Sequence, residues 1–209
     1  MIMQSNSTDF AAPASQAQVD SLAANLRERN FEVVVVDSPA EVKGEVLARI
    51  PDGAQVHSGK SKTLEDAGVF KELMESDRFE FIRRRTMKMD RATQGDEIRR
   101  LGAAPEVMLG SVQAVTEAGQ MVVTSASGSQ IGPYASGAGK LILVVGSQKI
   151  VPDLDAAFRR IEEYVFPWED ARLREQLGIG TAITRTLIIE RDFRPGRTTV
   201  ILVREPIGV

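Results

Sequence analysis

The chain of 209 residues contains no cysteine and only one histidine, His57. Without a thiol, the chain cannot form a disulfide, supply a thiolate nucleophile or ligate zinc or an iron–sulfur cluster through cysteine. A single imidazole likewise excludes a multi-histidine metal site, so we predict no metal site in the chain. Any redox centre with which the protein works must therefore lie on a bound cofactor or on a partner.

Long apolar runs and a strong net charge are also missing. The longest runs, such as LILVV at 141–145, have the length of a strand and are far too short to cross a bilayer. Residues 1–16 contain no apolar run of signal-peptide length. The formal net charge of −3 gives no electrostatic reason to expect nucleic acid or an anionic membrane as a partner. These absences favour a cytoplasmic protein with no membrane anchor.

The sequence does contain an alternation of strand-like apolar runs and amphipathic helical segments. FEVVVVD at 31–37 is typical of a buried strand. Further strands are expected at 54–58, 106–110, 120–124 and 141–145. The helical segments between them predict a three-layer α/β fold with a mainly parallel sheet and helices on both faces. At this length we expect one domain over 16–209, after a flexible polar tail at 1–15.

Two apolar runs lie near the end of the sequence, TRTLIIE at 184–190 and TTVILVRE at 198–205. The segment between them carries turn chemistry in the tetrapeptide FRPG at 193–196. Short turns of this kind usually connect antiparallel neighbours. We therefore expect the two runs to pair as a C-terminal β-hairpin, which would make the sheet mixed.

The tripeptide Gly59-Lys60-Ser61 resembles the end of a phosphate-binding loop. The complete motif requires a glycine at position 54, where this chain has Ala54, so a nucleoside-triphosphate site is not expected. A Gly-Lys-Ser turn before a helix can still direct backbone N–H groups and a lysine at an anion. The alternative is a simple helix start, with Ser61 or Thr63 as the N-cap.

Glu117 and Gly119 form a Glu-Ala-Gly turn that leads into an apolar strand. A carboxylate in such a turn at a sheet edge can act as an acid, a base or a nucleophile toward a ligand. The alternative is a solvated glutamate in an ordinary turn. We take Glu117 as the first candidate catalytic residue and Gly119 as a candidate ligand contact.

Residues 125–140, SASGSQIGPYASGAGK, contain four glycines, four serines and one proline. Small residues let the backbone approach a ligand closely, and their hydroxyl and amide groups supply hydrogen-bond donors. Loops of this length between two strands are usually functional or disordered, and here function is favoured. The candidate ligand contacts in and beside this loop are Thr124, Ser127, Gly128, Gln130 and Tyr134.

His57 and the basic segment at 83–100 are weaker candidates. The histidine stands at the end of a predicted strand and can serve as an acid–base group, although a lone histidine is more often structural. The segment holds seven Arg or Lys residues against three acidic residues. A solvated helix face or a subunit contact explains it better than a nucleic-acid site, so a homo-oligomer is one possibility and nucleic acid is not expected.

Three segments together carry a family resemblance: SGKSKTLEDAG at 58–68, VMLGSVQAVTEAGQMVV at 107–123 and KLILVVGSQKIVPDLDAAFRRI at 140–161. In their order and spacing they resemble the lactate-utilisation (LUD) domain family of the lactate utilisation protein C type. The resemblance covers about 40–209. It implies a three-layer fold of the NagB/RpiA/CoA-transferase-like type, and the Glu117–Gly119 turn is similar to the turn that carries the nucleophilic glutamate of CoA transferases.

The resemblance also implies a role in the oxidation of L-lactate to pyruvate beside iron–sulfur partner subunits, which agrees with the missing cysteines. The leading hypothesis is therefore a subunit or accessory protein without a cluster, with a small anionic ligand and with iron–sulfur clusters on its partners. One alternative is a stand-alone enzyme acting on a CoA ester or sugar phosphate, with Glu117 as nucleophile or base. A second alternative is a regulatory or interaction module that binds no small molecule.

Overall fold

The computed structural model describes residues 9–209, and their strands form two sheets. The strands, in chain order, are β1 (Glu32–Val36), β2 (Gln55–Ser58), β3 (Glu80–Phe81), β4 (Val107–Gly110), β5 (Ala114–Thr116), β6 (Met121–Ser125), β7 (Lys140–Gly146), β8 (Ile150–Val151), β9 (Arg185–Ile189) and β10 (Thr198–Val203). The strands predicted around 31–37, 54–58, 106–110, 120–124 and 141–145 are all present. The short strands β5 and β8 were not predicted.

The helices of the described residues are α1 (Gln16–Glu28), α2 (Pro39–Ala48), α3 (Lys62–Asp66), α4 (Val69–Glu75), α5 (Ile82–Thr86), α6 (Arg91–Ala103), α7 (Leu154–Arg160) and α8 (Phe166–Leu177). π-Helical turns lie at Pro133–Gly137 and Ile161–Val165, and a 3-10 turn lies at Ser147–Lys149. Within residues 9–209, none of these helices combines the length and the apolar composition that crossing a bilayer requires.

The larger sheet formed within residues 9–209 has six parallel strands in the order β1-β10-β7-β4-β2-β3. Its central strands are buried on both faces, as their continuous apolar sequences require. In β7, Leu141, Leu143 and Val145 contact one core, while Ile142 and Val144 contact the other. Each face of the sheet must therefore be covered by another layer.

Helices α2, α3 and α4 cover one face of the larger sheet, with Val46, Leu64 and Leu73 in the shared core. The opposite face is covered by α1 together with the smaller sheet, which contributes Val115 and Met121. The outer face of the smaller sheet packs in turn against α7. The prediction of a three-layer α/β fold with a mainly parallel sheet is confirmed.

The predicted C-terminal hairpin is wrong. The smaller sheet has the order β8-β5-β6-β9, and β9 pairs antiparallel with β6. In contrast, β10 lies in the larger sheet, parallel to both β1 and β7. Every residue of β10 is buried, whereas β9 is only partly covered. A strand that is apolar on both faces is stabilised at the centre of a parallel sheet, and a hairpin at an edge would leave it half exposed.

The predicted flexible tail at 1–15 includes residues 1–8, which lie outside the described residues, so that part stays a prediction. Nearer to α1 the chain is packed. Phe10 is buried, and its carbonyl oxygen accepts a hydrogen bond of 3.4 Å from Arg160. Ser15 and Gln18 then form a capping box at the start of α1. The folded part of the chain therefore begins before residue 16.

Gly110, the last residue of β4, tests how tightly this fold is packed. A Cβ atom at this position would lie 1.5 Å from the hydroxyl oxygen of buried Tyr134. Gly110→Ala should therefore lower the free energy of unfolding by about 1–3 kcal/mol, because the ring or the strand must move. The measurement is urea denaturation followed by circular dichroism.

Gly44 in α2 is the matched control, since no atom lies within 4 Å of the position that its Cβ would occupy. Gly44→Ala should raise the free energy of unfolding by about 0.5–1 kcal/mol, as expected inside a helix. If Gly110→Ala were as stable as the unmodified protein, the contact between Gly110 and Tyr134 would not have the described geometry.

Candidate functional site

A cleft of about 330 Å³ lies outside the carboxyl ends of the parallel strands. The segments that follow β2, β4 and β7 all reach this edge, because parallel strands end on the same side of their sheet. The start of the 125–140 loop and the segment from Ile161 to Ile183 complete the lining. The topology therefore gathers residues that are more than 100 positions apart in sequence into one site.

Most of the predicted ligand contacts meet in this cleft. Those that line it are Gly59, Lys60, Ser61, Thr63, Thr124, Ser127, Gln130 and Tyr134. Gly128 is beside the cleft and not among its lining residues: its N–H group donates to Ser125 Oγ at 2.9 Å, and its Cα faces Arg185. Gly128 has a φ of +78°, so the glycine serves the turn of the loop.

Ser61 is the N-cap of α3, as the alternative interpretation predicted, because its Oγ accepts a hydrogen bond from the N–H of Leu64. Thr63, two residues further along, is buried and also lines the cleft. Lys60 extends across the cleft mouth, where its Nζ donates to Gln176 of α8 at 3.2 Å. The Gly-Lys-Ser turn is thus both a helix start and part of the cleft wall.

The structure does not bring Glu117 and Gly119 to the cleft. Gln113, directly before β5, lines the cleft, whereas no residue of the turn that follows β5 does. There Glu117 is exposed, and its Oε1 accepts a hydrogen bond of 3.0 Å from Gln18 of α1. Gly119 lies beside Arg29. The glutamate predicted to face the ligand is therefore separated from the rest of the predicted site.

His57 also lies outside the lining of the cleft. Its ring is held between β2 and α6, where a Cβ on Gly102 would come within 3.2 Å of Nε2. Burial, and secondarily the charge of Arg83, lowers the pKa of His57 to about 4. The imidazole is therefore neutral at pH 7. Its Nδ1 has no hydrogen-bond partner among the described residues.

Sequence reasoning missed Lys149, which also lines the cleft. It belongs to the 3-10 turn directly after β7 and is only 2% exposed. Its Nζ donates to Thr63 Oγ1 and to Ser111 Oγ, both at 2.9 Å. Ser111 Oγ in turn donates to the carbonyl oxygen of Val144 at 2.6 Å. The lysine thus joins the segments that follow three neighbouring strands.

The charge of Lys149 is poorly compensated. Burial, and secondarily the charge of nearby Arg160, lowers its pKa to about 7, while Asp66 acts in the opposite direction. Arg160 is fully buried and donates to the carbonyl oxygens of Phe10, Gln113 and Gln148. Within residues 9–209, neither cation forms an ion pair with a carboxylate. The floor of the cleft is therefore suited to an anion.

The outer wall of the cleft is formed by α8, none of whose residues is fully buried. Arg172 holds Glu169 through two hydrogen bonds of 2.8 and 2.5 Å, and its guanidinium group lies 5.5 Å from the centre of the Trp168 ring. These side chains line the cleft. The charges of Arg172 and Glu169 on the wall therefore cancel each other, whereas Lys149 on the floor has no carboxylate partner within residues 9–209.

Comparison with known proteins identifies the family. A model of the LUD domain matches residues 19–203. The chain resembles a crystal structure of a DUF162 family protein from Deinococcus radiodurans, with a TM-score of 0.52 and 12% identity over 91% of this chain and 99% of that chain. It also matches ribose 5-phosphate isomerase A from Neisseria gonorrhoeae, with a TM-score of 0.31 and 13% identity over 68% of this chain and 57% of that chain. No curated protein matches its sequence.

The lowered pKa of Lys149 predicts how stability depends on pH. The folded protein releases this proton near pH 7, whereas the unfolded chain keeps it up to the ordinary value of 10.5. Between these values the unfolded state binds more protons, so the contribution of Lys149 makes stability rise with pH. The slope is at most about 1.4 kcal/mol per pH unit. Below pH 7 the cost of burying the charge is fully present.

Urea denaturation at pH 7, 8 and 9 measures this contribution. Lys149→Met should remove it, so the difference in unfolding free energy between the variant and the unmodified protein should change across this range. The exposed Lys71→Met is the control and should leave the pH dependence unaltered. Parallel curves for the unmodified protein and Lys149→Met would contradict the prediction.

Proposed function

Because the chain belongs to the LUD domain family, we propose that it acts in the oxidation of L-lactate to pyruvate as a subunit or accessory protein without a cluster. The family is linked to lactate utilisation. In this proposal the iron–sulfur clusters lie on partner proteins. The complete absence of cysteine supports that division, because this chain has no thiolate with which to hold a cluster.

The observation that carries the proposal is the cationic, hydroxyl-lined floor of the cleft. Lys149 lies there between two hydroxyl groups, and the adjoining walls add Ser61, Ser125 and Gln130. A carboxylate is a small anion that accepts hydrogen bonds from ammonium and hydroxyl groups alike. A small carboxylic acid such as lactate or pyruvate therefore matches the charge and the donors of this cleft.

A stand-alone enzyme that uses Glu117 on a CoA ester or sugar phosphate receives less support. That reaction needs the carboxylate beside the bound substrate. Glu117 instead lies beyond the far end of β5 and contacts α1. No residue of the Glu117–Gly119 turn lines the cleft described within residues 9–209.

Growth on L-lactate tests the cellular role. A strain without this gene and without a paralogue should lose growth on L-lactate and keep growth on glucose. The intact gene should restore growth, and the gene with Lys149→Met should restore it poorly. Normal growth of the deletion strain on L-lactate would contradict the proposal. Native, anaerobic purification gives an independent check, because cysteine-rich, brown partners should accompany the protein.

Thermal unfolding tests the ligand. Pyruvate or L-lactate at 100 times its dissociation constant should stabilise the protein by about 2.7 kcal/mol, or about 5–10 °C in Tm. Lys149→Met should lose this shift, because it removes the cation on the cleft floor. Glu117→Gln is the matched control, and it should keep the full shift. A shift that depends on Glu117 and not on Lys149 would place the ligand elsewhere.

A further inference from the structure

The Lys149 amine makes two hydrogen bonds to hydroxyl groups, and one further position on its nitrogen has no partner within residues 9–209. Ser111 Oγ uses its own proton on the carbonyl oxygen of Val144, so it must accept from Lys149. Thr63 Oγ1 makes no other hydrogen bond within residues 9–209, so it can either accept from the amine or donate to it. Lys149, Thr63 and Ser111 all line the cleft, so a ligand bound there would be the one to reach the remaining position of the amine.

The same surroundings make the neutral, nucleophilic form of the amine accessible beside its charged, anion-binding form. A buried lysine next to another cation, and without a carboxylate partner, loses its proton more easily than an exposed one. Arg160 supplies the neighbouring positive charge, and it is itself held in place by three backbone carbonyl groups. Desolvation beside a cationic group is one of the known ways in which a protein activates a lysine for imine formation.

We propose that Lys149 is a nucleophile that forms an imine with a small 2-oxo acid in the cleft, an inference that rests on the anion-binding function proposed above. The amine nitrogen adds to the ketone carbon, and the proton it loses passes to the oxygen to give a carbinolamine. The C–O bond then breaks, and one water molecule leaves as the C=N bond forms. The step involves no oxidation or reduction.

The positive charges of the imine and of Arg160 favour an anionic ligand whose carboxylate lies next to the carbonyl group. The imine nitrogen is protonated once formed, which places a second fixed positive charge near Arg160. A neutral ketone would leave this buried charge without a partner, which is unfavourable. The carboxylate of a 2-oxo acid is attached to the imine carbon itself and therefore lies beside the new cation. The ligand thus supplies the counter-charge that the protein lacks.

Thr63 is placed to move protons during this step. Its hydroxyl lies 2.9 Å from Lys149 Nζ and is free to act as a donor or an acceptor. The carbinolamine oxygen must gain a proton before it can leave as water, and a hydroxyl beside the nitrogen can relay one. Thr63 is therefore a positioning and proton-relay residue in the proposal, and Lys149 forms the covalent bond.

Reductive trapping tests the proposal directly. The unmodified protein is incubated with pyruvate and sodium cyanoborohydride near pH 7, digested, and analysed by peptide mass spectrometry. We expect one reduced pyruvate adduct per chain, on Lys149. Acetone has a ketone and no carboxylate, so its imine would lack the counter-charge. Acetone should therefore give at least about tenfold less adduct at Lys149 than pyruvate does. L-Lactate, which has no carbonyl carbon open to the amine, should give none.

Two exposed lysines outside the cleft lining provide controls. Lys71→Met and Lys88→Met should keep the adduct on Lys149. Lys149→Met should abolish it, with circular dichroism confirming that the variant is folded. Mapping the adduct in the unmodified protein gives the answer even if that variant does not fold.

The outcomes separate this inference from the proposed function. An adduct confined to Lys149 supports the imine. Adducts spread over exposed lysines, or absent altogether, overturn it. If pyruvate raises the Tm and leaves Lys149 unmodified, the imine fails and the anion-binding function stands. If pyruvate and L-lactate give neither a thermal shift nor an adduct, both proposals fail together.

Discussion

The parallel pairing of β7 with its two neighbours positions both the core of the larger sheet and the floor of the cleft. β7 lies between β10 and β4, and its side chains alternate between the two cores of the molecule. Because the three strands run in the same direction, the segments that follow them emerge at one edge. That arrangement brings Ser111 and Lys149 together from separate parts of the chain, and the segment after β2 adds Thr63. Loss of this pairing would therefore disperse the site as well as the core.

The buried lysine depends on this framework in a second way. The amine of Lys149 is excluded from water here, where it donates to Thr63 after β2 and to Ser111 after β4. The free-energy penalty for an ammonium group in such a place is several kcal/mol, and only a well-packed fold sustains it. Ionisable groups with strongly shifted pKa values cluster at functional sites. The buried lysine therefore makes the cleft floor a better candidate for chemistry than the wall of α8, where the charges are paired.

The main strands could be predicted from sequence because FEVVVVD and LILVV are too apolar for any place except a buried sheet. In the smaller sheet β6 and β9 were also predictable, whereas β5 and β8 were not, since they have three and two residues and carry no readable period. In the site, the Gly59–Thr63 turn was predictable from its small and polar residues. Lys149 was not, because a single lysine after a strand is ordinarily exposed, and only tertiary packing buries it. Its position directly after β7, at the same edge as Thr63, is the one signal that was available.

Strand β1 can join the larger sheet only through β10, the last strand of the described residues. The neighbours of β10 are β1, from the start of the fold, and β7, so a contact such as that between Glu32 and Thr199 spans 167 positions of the chain. Until β10 arrives, β1 has no neighbouring strand in the larger sheet, and β7 has one open edge. Contacts of such separation are slow to form and come late on a folding pathway. During synthesis the nascent protein therefore exposes two strand edges, at which another chain could pair, until residues 198–203 are added.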